Sequence, residues 1–75
     1  MRITVKLIGP LIYEAGFSEK VITLPGSATA GALVARVKID KKRPTIITRN
    51  GKAVELNDTL EDGDRVVISH IYSGG

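Results

Sequence analysis

The chain has no cysteine and no tryptophan, and only one histidine, one phenylalanine and two tyrosines among its 75 residues. Without cysteine there is no disulfide, no thiolate nucleophile and no cysteine metal site. The single histidine, His70, makes no histidine cluster. Both absences argue against a self-contained metal centre or a histidine-dependent nucleophilic enzyme, so no catalytic residue and no metal ligand is assigned. The core, short of aromatic residues, has to be aliphatic. Ile, Val and Leu carry it, and they favour strands as readily as helices. No apolar run approaches a signal-peptide core or a membrane span. We therefore expect a cytoplasmic protein without a membrane partner.

The length allows one domain, which buries about 60–65 % of the surface its unfolded chain exposes. That leaves no room for a deep enclosed active site. The net charge is +3, unevenly spread. Arg36, Lys38, Lys41, Lys42 and Arg43 crowd one segment, with Asp40 as the only acid among them, and Asp58, Glu61, Asp62 and Asp64 crowd another. Runs of this kind are most often solvated loops and less often protein-docking patches. No aromatic residue interleaves with the cations, so the stacking platform of a single-strand binder is missing. Nucleic acid is not expected as a partner.

Along the chain, Ile3, Val5 and Leu7 alternate with Thr4 and Lys6, the pattern of a half-buried strand. Gly9-Pro10 breaks it, and Leu11 to Gly16 reads as a short connection with room for one helical turn. Phe17 to Leu24 reads as a second strand, ended by Pro25-Gly26. The gap between these strands is too short for a crossover, so they should pair antiparallel. The only full helix candidate follows, with Thr29 as N-cap, Ser27 as competitor, and Leu33, Val34 and Val37 on one face. Gly31 weakens its propensity, so packing must hold it. The helix should end near Lys38, before the polar run to Pro44. Thr45 to Thr48 is a third strand, and Asn50-Gly51 is a strong hairpin signal. Lys52 to Leu56 is the return strand. Leu60 anchors inward, Asp62-Gly63-Asp64 bends, and Arg65 to Tyr72 is the last strand. The Asp62 and Asp64 pair reads as turn chemistry rather than an acid–base couple.

This order describes an α+β domain, a mixed sheet of about five strands packed on one helix. Val66-Val67-Ile68 is apolar on both faces, which suits a central strand. With the first and last strands side by side, the architecture is a β-grasp. Residues 1–72 form the domain and Ser73-Gly74-Gly75 a slender tail. Glycine lacks a Cβ, so such a tail can thread a narrow channel and leaves a terminal carbonyl carbon unshielded. The carboxylate of Gly75 therefore reads as the working group.

The segment Arg49-Asn50-Gly51-Lys52-Ala53-Val54, then Asp58-Thr59-Leu60-Glu61-Asp62-Gly63-Asp64-Arg65-Val66-Val67-Ile68, then Gly74-Gly75, resembles the ubiquitin-like sulfur carriers. That group includes the small subunit of molybdopterin synthase and the thiamine-biosynthesis sulfur carrier. Val5-Lys6-Leu7-Ile8-Gly9-Pro10-Leu11 is similar to the opening of the molybdopterin-type members, whereas Ser69-His70-Ile71-Tyr72-Ser73 lacks the prolines common in their tails.

The resemblance implies a carrier that is itself no enzyme. A partner uses ATP to adenylate Gly75, a sulfur-donor system converts the acyl-adenylate to a thiocarboxylate, and a biosynthetic enzyme accepts the sulfur, toward molybdopterin or thiamine. The domain itself would bind no cofactor. Ser73 and Gly74 would supply slimness, and Tyr72 through Gly75 would reach on the order of 13 Å into a partner. Ile68, His70 and Tyr72 are candidate docking contacts just before the tail. Two further readings stay open: a modifier joined through Gly75 to target lysines, and a plain binding module using Arg36 to Arg43.

Overall fold

The alternation read in the first residues produces the first strand of a five-stranded sheet. In the computed structural model, which describes residues 1–39 and 44–71, strand β1 (Arg2–Leu7) buries Ile3, Val5 and Leu7 and turns Thr4 and Lys6 to the other face. Gly9 takes a φ of 62° and Pro10 opens a single-turn helix, α1 (Leu11–Ala15). Gly16 ends it at a φ of 85°, donating its N–H to the Ile12 carbonyl, the left-handed cap that glycine adopts without penalty. Strand β2 (Glu19–Thr23) then pairs antiparallel with β1, Ile3 opposite Ile22.

Helix α2 (Ala30–Arg36) begins at Thr29, whose Oγ1 accepts from the Ala32 N–H at 3.2 Å. Thr29 rather than Ser27 is therefore the cap. The next orphan donors go outside the helix: Ala30 N–H donates to the Asp58 carbonyl at 2.9 Å and Gly31 N–H to the Leu56 carbonyl at 2.8 Å. The 56–60 segment thus finishes the helix start, and a bridge between Thr29 and Thr59 and the Leu60 N–H on the Ala28 carbonyl extend the seam. Gly31 has a packing reason, because a Cβ there would lie 3.1 Å from the Leu56 oxygen.

Strands β3 (Thr45–Arg49) and β4 (Lys52–Val54) form the expected hairpin. Asn50 and Gly51 take φ values of 52° and 86°, as a type I′ turn demands. Strand β5 (Arg65–His70) closes the sheet in the order β2-β1-β5-β3-β4. It runs parallel to β1 and antiparallel to β3. The first and last strands lie side by side in the centre, which makes the architecture a β-grasp. Val66 and Ile68 share one buried core with Ile3, Val5 and Leu7 of β1, Leu33 and Val34 of α2 and its C-cap Val37, together with Leu11, Ile47 and Leu60.

Several expectations are corrected. Two helices, not one, pack on the sheet. Strand β2 is shorter than Phe17 to Leu24 and β4 stops at Val54. Helix α2 ends at Arg36, and Lys38 already has left-handed backbone at a φ of 58°. Propensity marks such ends only loosely, because they depend on where tertiary hydrogen bonds run out. The expected Ser73-Gly74-Gly75 tail lies outside the described residues, as do Asp40, Lys41, Lys42 and Arg43.

Candidate functional site

The candidate site is the far end of β5, the described end nearest in sequence to Gly75. β5 is held on both sides. Ile8 N–H donates to the Ile68 carbonyl at 3.1 Å, Thr45 pairs with His70, and Ile71 N–H donates to the Pro44 carbonyl at 3.1 Å. Support from β1 reaches the level of Ile68, and support from the β3 side continues to Ile71.

The near end of β5 is braced by charge. Asp64, 5 % exposed, accepts from Asn50 Nδ2 at 2.9 Å on Oδ1 and from the Glu61 N–H at 2.8 Å on Oδ2, which also lies 2.7 Å from Arg49 Nε. The Arg49 contact is an ion pair rather than an aligned hydrogen bond. Burial pushes the Asp64 carboxyl up, but the Glu61, Asn50 and Arg49 contacts outweigh it and hold the group below its ordinary range. Asn50 Oδ1 accepts from the Arg65 N–H at 2.9 Å, so one amide joins the β3–β4 turn to the start of β5. Asp62 Oδ1 accepts from the Arg2 N–H at 2.7 Å. Asp64 is thus committed to the bend and Asp62 ties that bend to the start of β1, as turn chemistry implied.

The expected docking residues fare differently. Ile68 has no exposed surface and His70 only 6 %. Both project from the core face with Val66, so neither presents itself to a partner, and that expectation is corrected. The cause is α1: its Glu14 Oε1 sits 3.6 Å from His70 Nε2 at the rim of the core, and neither ring nitrogen has a hydrogen-bond partner. The alternation of Val66, Ile68 and His70 carried this signal, since a face that buries the first two buries the third. Tyr72, Ser73, Gly74 and Gly75 lie outside the described residues.

What the sequence reading missed is on the opposite face. Ile46 pairs directly with Ser69, and Ile8 continues β1 beyond the Leu7–Ile68 pair. Ile8, Ile46 and Ile71 are each about half exposed. They surround Ser69, near the end of β5, on the sheet face that carries no helix. Three exposed isoleucines around one point form an apolar patch of the kind that marks interaction sites. Only the register brings them together, because they come from three separate segments. No group of three or more histidine or acidic side chains is arranged to hold a metal among the described residues.

The sequence model of the ThiS family matches residues 5–75. No curated protein sequence matches the chain. Among solved structures, SAMP1 from Haloferax volcanii is 24 % identical over 100 % of both chains, with a TM-score of 0.81. The ubiquitin of Caldiarchaeum subterraneum is 28 % identical, over 100 % of this chain and 98 % of its own, with a TM-score of 0.65. A complex of subunits 1 and 2 of the molybdopterin-converting factor from Helicobacter pylori contains a chain 22 % identical over 100 % of both, with a TM-score of 0.67.

Proposed function

Because the chain belongs to the ThiS family of ubiquitin-fold sulfur carriers, we propose that Gly75 carries sulfur as a terminal thiocarboxylate. The supporting observation is that the family match runs through residue 75, so Gly74 and Gly75 fall inside it. The chemistry follows from the group. An ionised carboxylate is a poor electrophile at neutral pH, and nothing in the described residues of this domain activates it. A partner enzyme would therefore join a Gly75 oxygen to the α-phosphate of ATP and release pyrophosphate. Sulfide from a donor system would then attack the carbonyl carbon, and AMP would leave with that oxygen. The thiocarboxylate that remains has a soft, nucleophilic sulfur to deliver inside a second enzyme, toward molybdopterin or thiamine. One solved relative is itself a complex of two molybdopterin-converting subunits, which supports an accepting partner.

The domain would contribute position. β5 fixes the root of the tail, and Ile8, Ile46 and Ile71 offer the apolar surface on which an activating or accepting enzyme seats. The deciding measurement is intact mass after incubation with ATP, sulfide and an activating enzyme from the same cell. Exchange of one oxygen for sulfur, localised to Gly75, is the expected result. An unchanged mass with every such enzyme overturns the reading.

A second reading has its own support, the likeness to SAMP1, a small archaeal modifier protein, and to an archaeal ubiquitin. The same acyl-adenylate would then be passed to a lysine amine of a target protein. A ladder of conjugates through Gly75, with no sulfur gain, favours it.

A further inference from the structure

Among the described residues, strand β2 is an edge of the sheet, paired only with β1. Ser18 gives its carbonyl to Leu7, and Leu24 gives its N–H to Met1. In an antiparallel ladder the direction alternates, so Lys20 and Ile22 also face β1. The N–H and C=O groups of Glu19, Val21 and Thr23 face outward. An open edge of this kind accepts another extended chain.

Beside that edge, between β2 and the end of α2, lies a pocket of about 290 Å³. Its floor includes Phe17 and Ile22, and its rim carries Lys20, Arg36 and Lys38. Among the described residues no carboxylate lines it, and none lies within 4.0 Å of any of the three cations. The nearest acid on the strand, Glu19, is occupied by Arg65 at 2.9 Å. Arg36 and Lys38 complement the negative end of the helix dipole, but Lys20 comes from a different element. Its ammonium is held 5.7 Å from the Phe17 ring centroid, which fixes it at the pocket. Lys38 occupies a left-handed backbone position where glycine is the usual residue after a helix.

We infer that the free edge of β2 binds an extended acidic segment of a partner protein, adding it to the sheet as a sixth strand. An apolar side chain of the segment enters against Phe17 and Ile22, and following Asp or Glu residues meet Lys20, Arg36 and Lys38. The apolar floor favours a peptide over a bare phosphate, and the open backbone groups favour an extended chain over a helix. The site is independent of Gly75 and of the Ile8, Ile46 and Ile71 patch, which lies on the other face.

The test is an NMR titration of the isotope-labelled full chain with a capped eight-residue peptide, alternating Val and Thr followed by three Glu. Amide shifts should concentrate at residues 19–23 and 36–38, with slowed hydrogen exchange at Glu19, Val21 and Thr23. Reversing charge with Lys20→Glu and Lys38→Glu should weaken binding by about tenfold or more. Val21→Pro should abolish it, since it removes an outward N–H at an edge that tolerates proline. The double variant and Val21→Pro should each still melt cooperatively, within several degrees of wild type, and keep the wild-type amide spectrum away from residues 17–23 and 36–38, which separates loss of the site from loss of the fold. Four results overturn the proposal. They are no binding at all, shifts confined to the Ile8, Ile46 and Ile71 face, equal affinity for a peptide ending in three Lys, or displacement by inorganic phosphate or a short single strand of DNA that binds as tightly.

Discussion

Asn50 and Asp64 are fourteen positions apart, and the Asn50 amide nitrogen donates to the Asp64 carboxylate at 2.9 Å. That bond, with the Arg49 ion pair and the Glu61 N–H, locks the β3–β4 turn to the bend before the central strand. Its worth depends on pH. The contacts hold the folded carboxyl below its ordinary range, so the unfolded chain takes up the proton more readily. The stabilisation is complete above the unfolded value and is lost as pH falls through the folded one. We expect Asp64→Asn to lower stability at neutral pH by about 2–3 kcal/mol and to flatten the acid limb of the melting profile. Identical profiles for wild type and variant would remove this carboxylate from the stability of the fold.

Gly31 tests the seam between α2 and the 56–60 segment. Replacing glycine by alanine in an open helix interior gains about 1 kcal/mol. Here the new Cβ would stand 3.1 Å from the Leu56 carbonyl oxygen, which also accepts the Gly31 N–H at 2.8 Å. We expect Gly31→Ala to forfeit that gain and Gly31→Val to destabilise by about 1–3 kcal/mol. Denaturant melts decide, and a clear stabilisation by alanine would mean that the loop gives way freely.

Ile46 tests the apolar patch. It is exposed on a strand, so Ile46→Glu should change folding stability by less than about 1 kcal/mol. Its affinity for the activating or accepting enzyme should fall by about tenfold or more, if the side chain sits within the apolar centre of that interface. Calorimetric titration reads this directly. Unchanged affinity in a normally melting variant would place docking elsewhere.

Removing Gly74 and Gly75 should abolish sulfur loading and conjugation alike. The melting midpoint should stay within a degree or so, because the buried core described between Ile3 and Ile68 is built without either glycine. A shortened chain that still supports the pathway in cells would overturn both readings of Gly75.

The individual elements were legible wherever a few neighbouring residues carry the signal. Thr29 caps α2 through its own third neighbour, and Asn50-Gly51 turns because both residues accept positive φ. The β-grasp order was also legible, since Val66-Val67-Ile68 has the composition of a central strand and β1 alternates cleanly. The family resemblance rested on such local motifs at fixed spacing, and the match over residues 5–75 agrees with it.

Other features were decided only by tertiary structure, because they depend on residues far apart in sequence meeting across the sheet. Pairing β1 with β5 sets Ile8 and Ile46 around Ser69, and no spacing along the chain encodes that meeting. Gly31 looked like a weakness until Leu56 passed over it. The alternation of Val66, Ile68 and His70 hinted at a buried ring, but only the packing of α1 set Glu14 beside it. The sequence by itself determined which segments are strands and helices, because hydrophobic period and turn chemistry are local. The tertiary structure decided which of those side chains face a partner, because exposure is a property of the assembled layers.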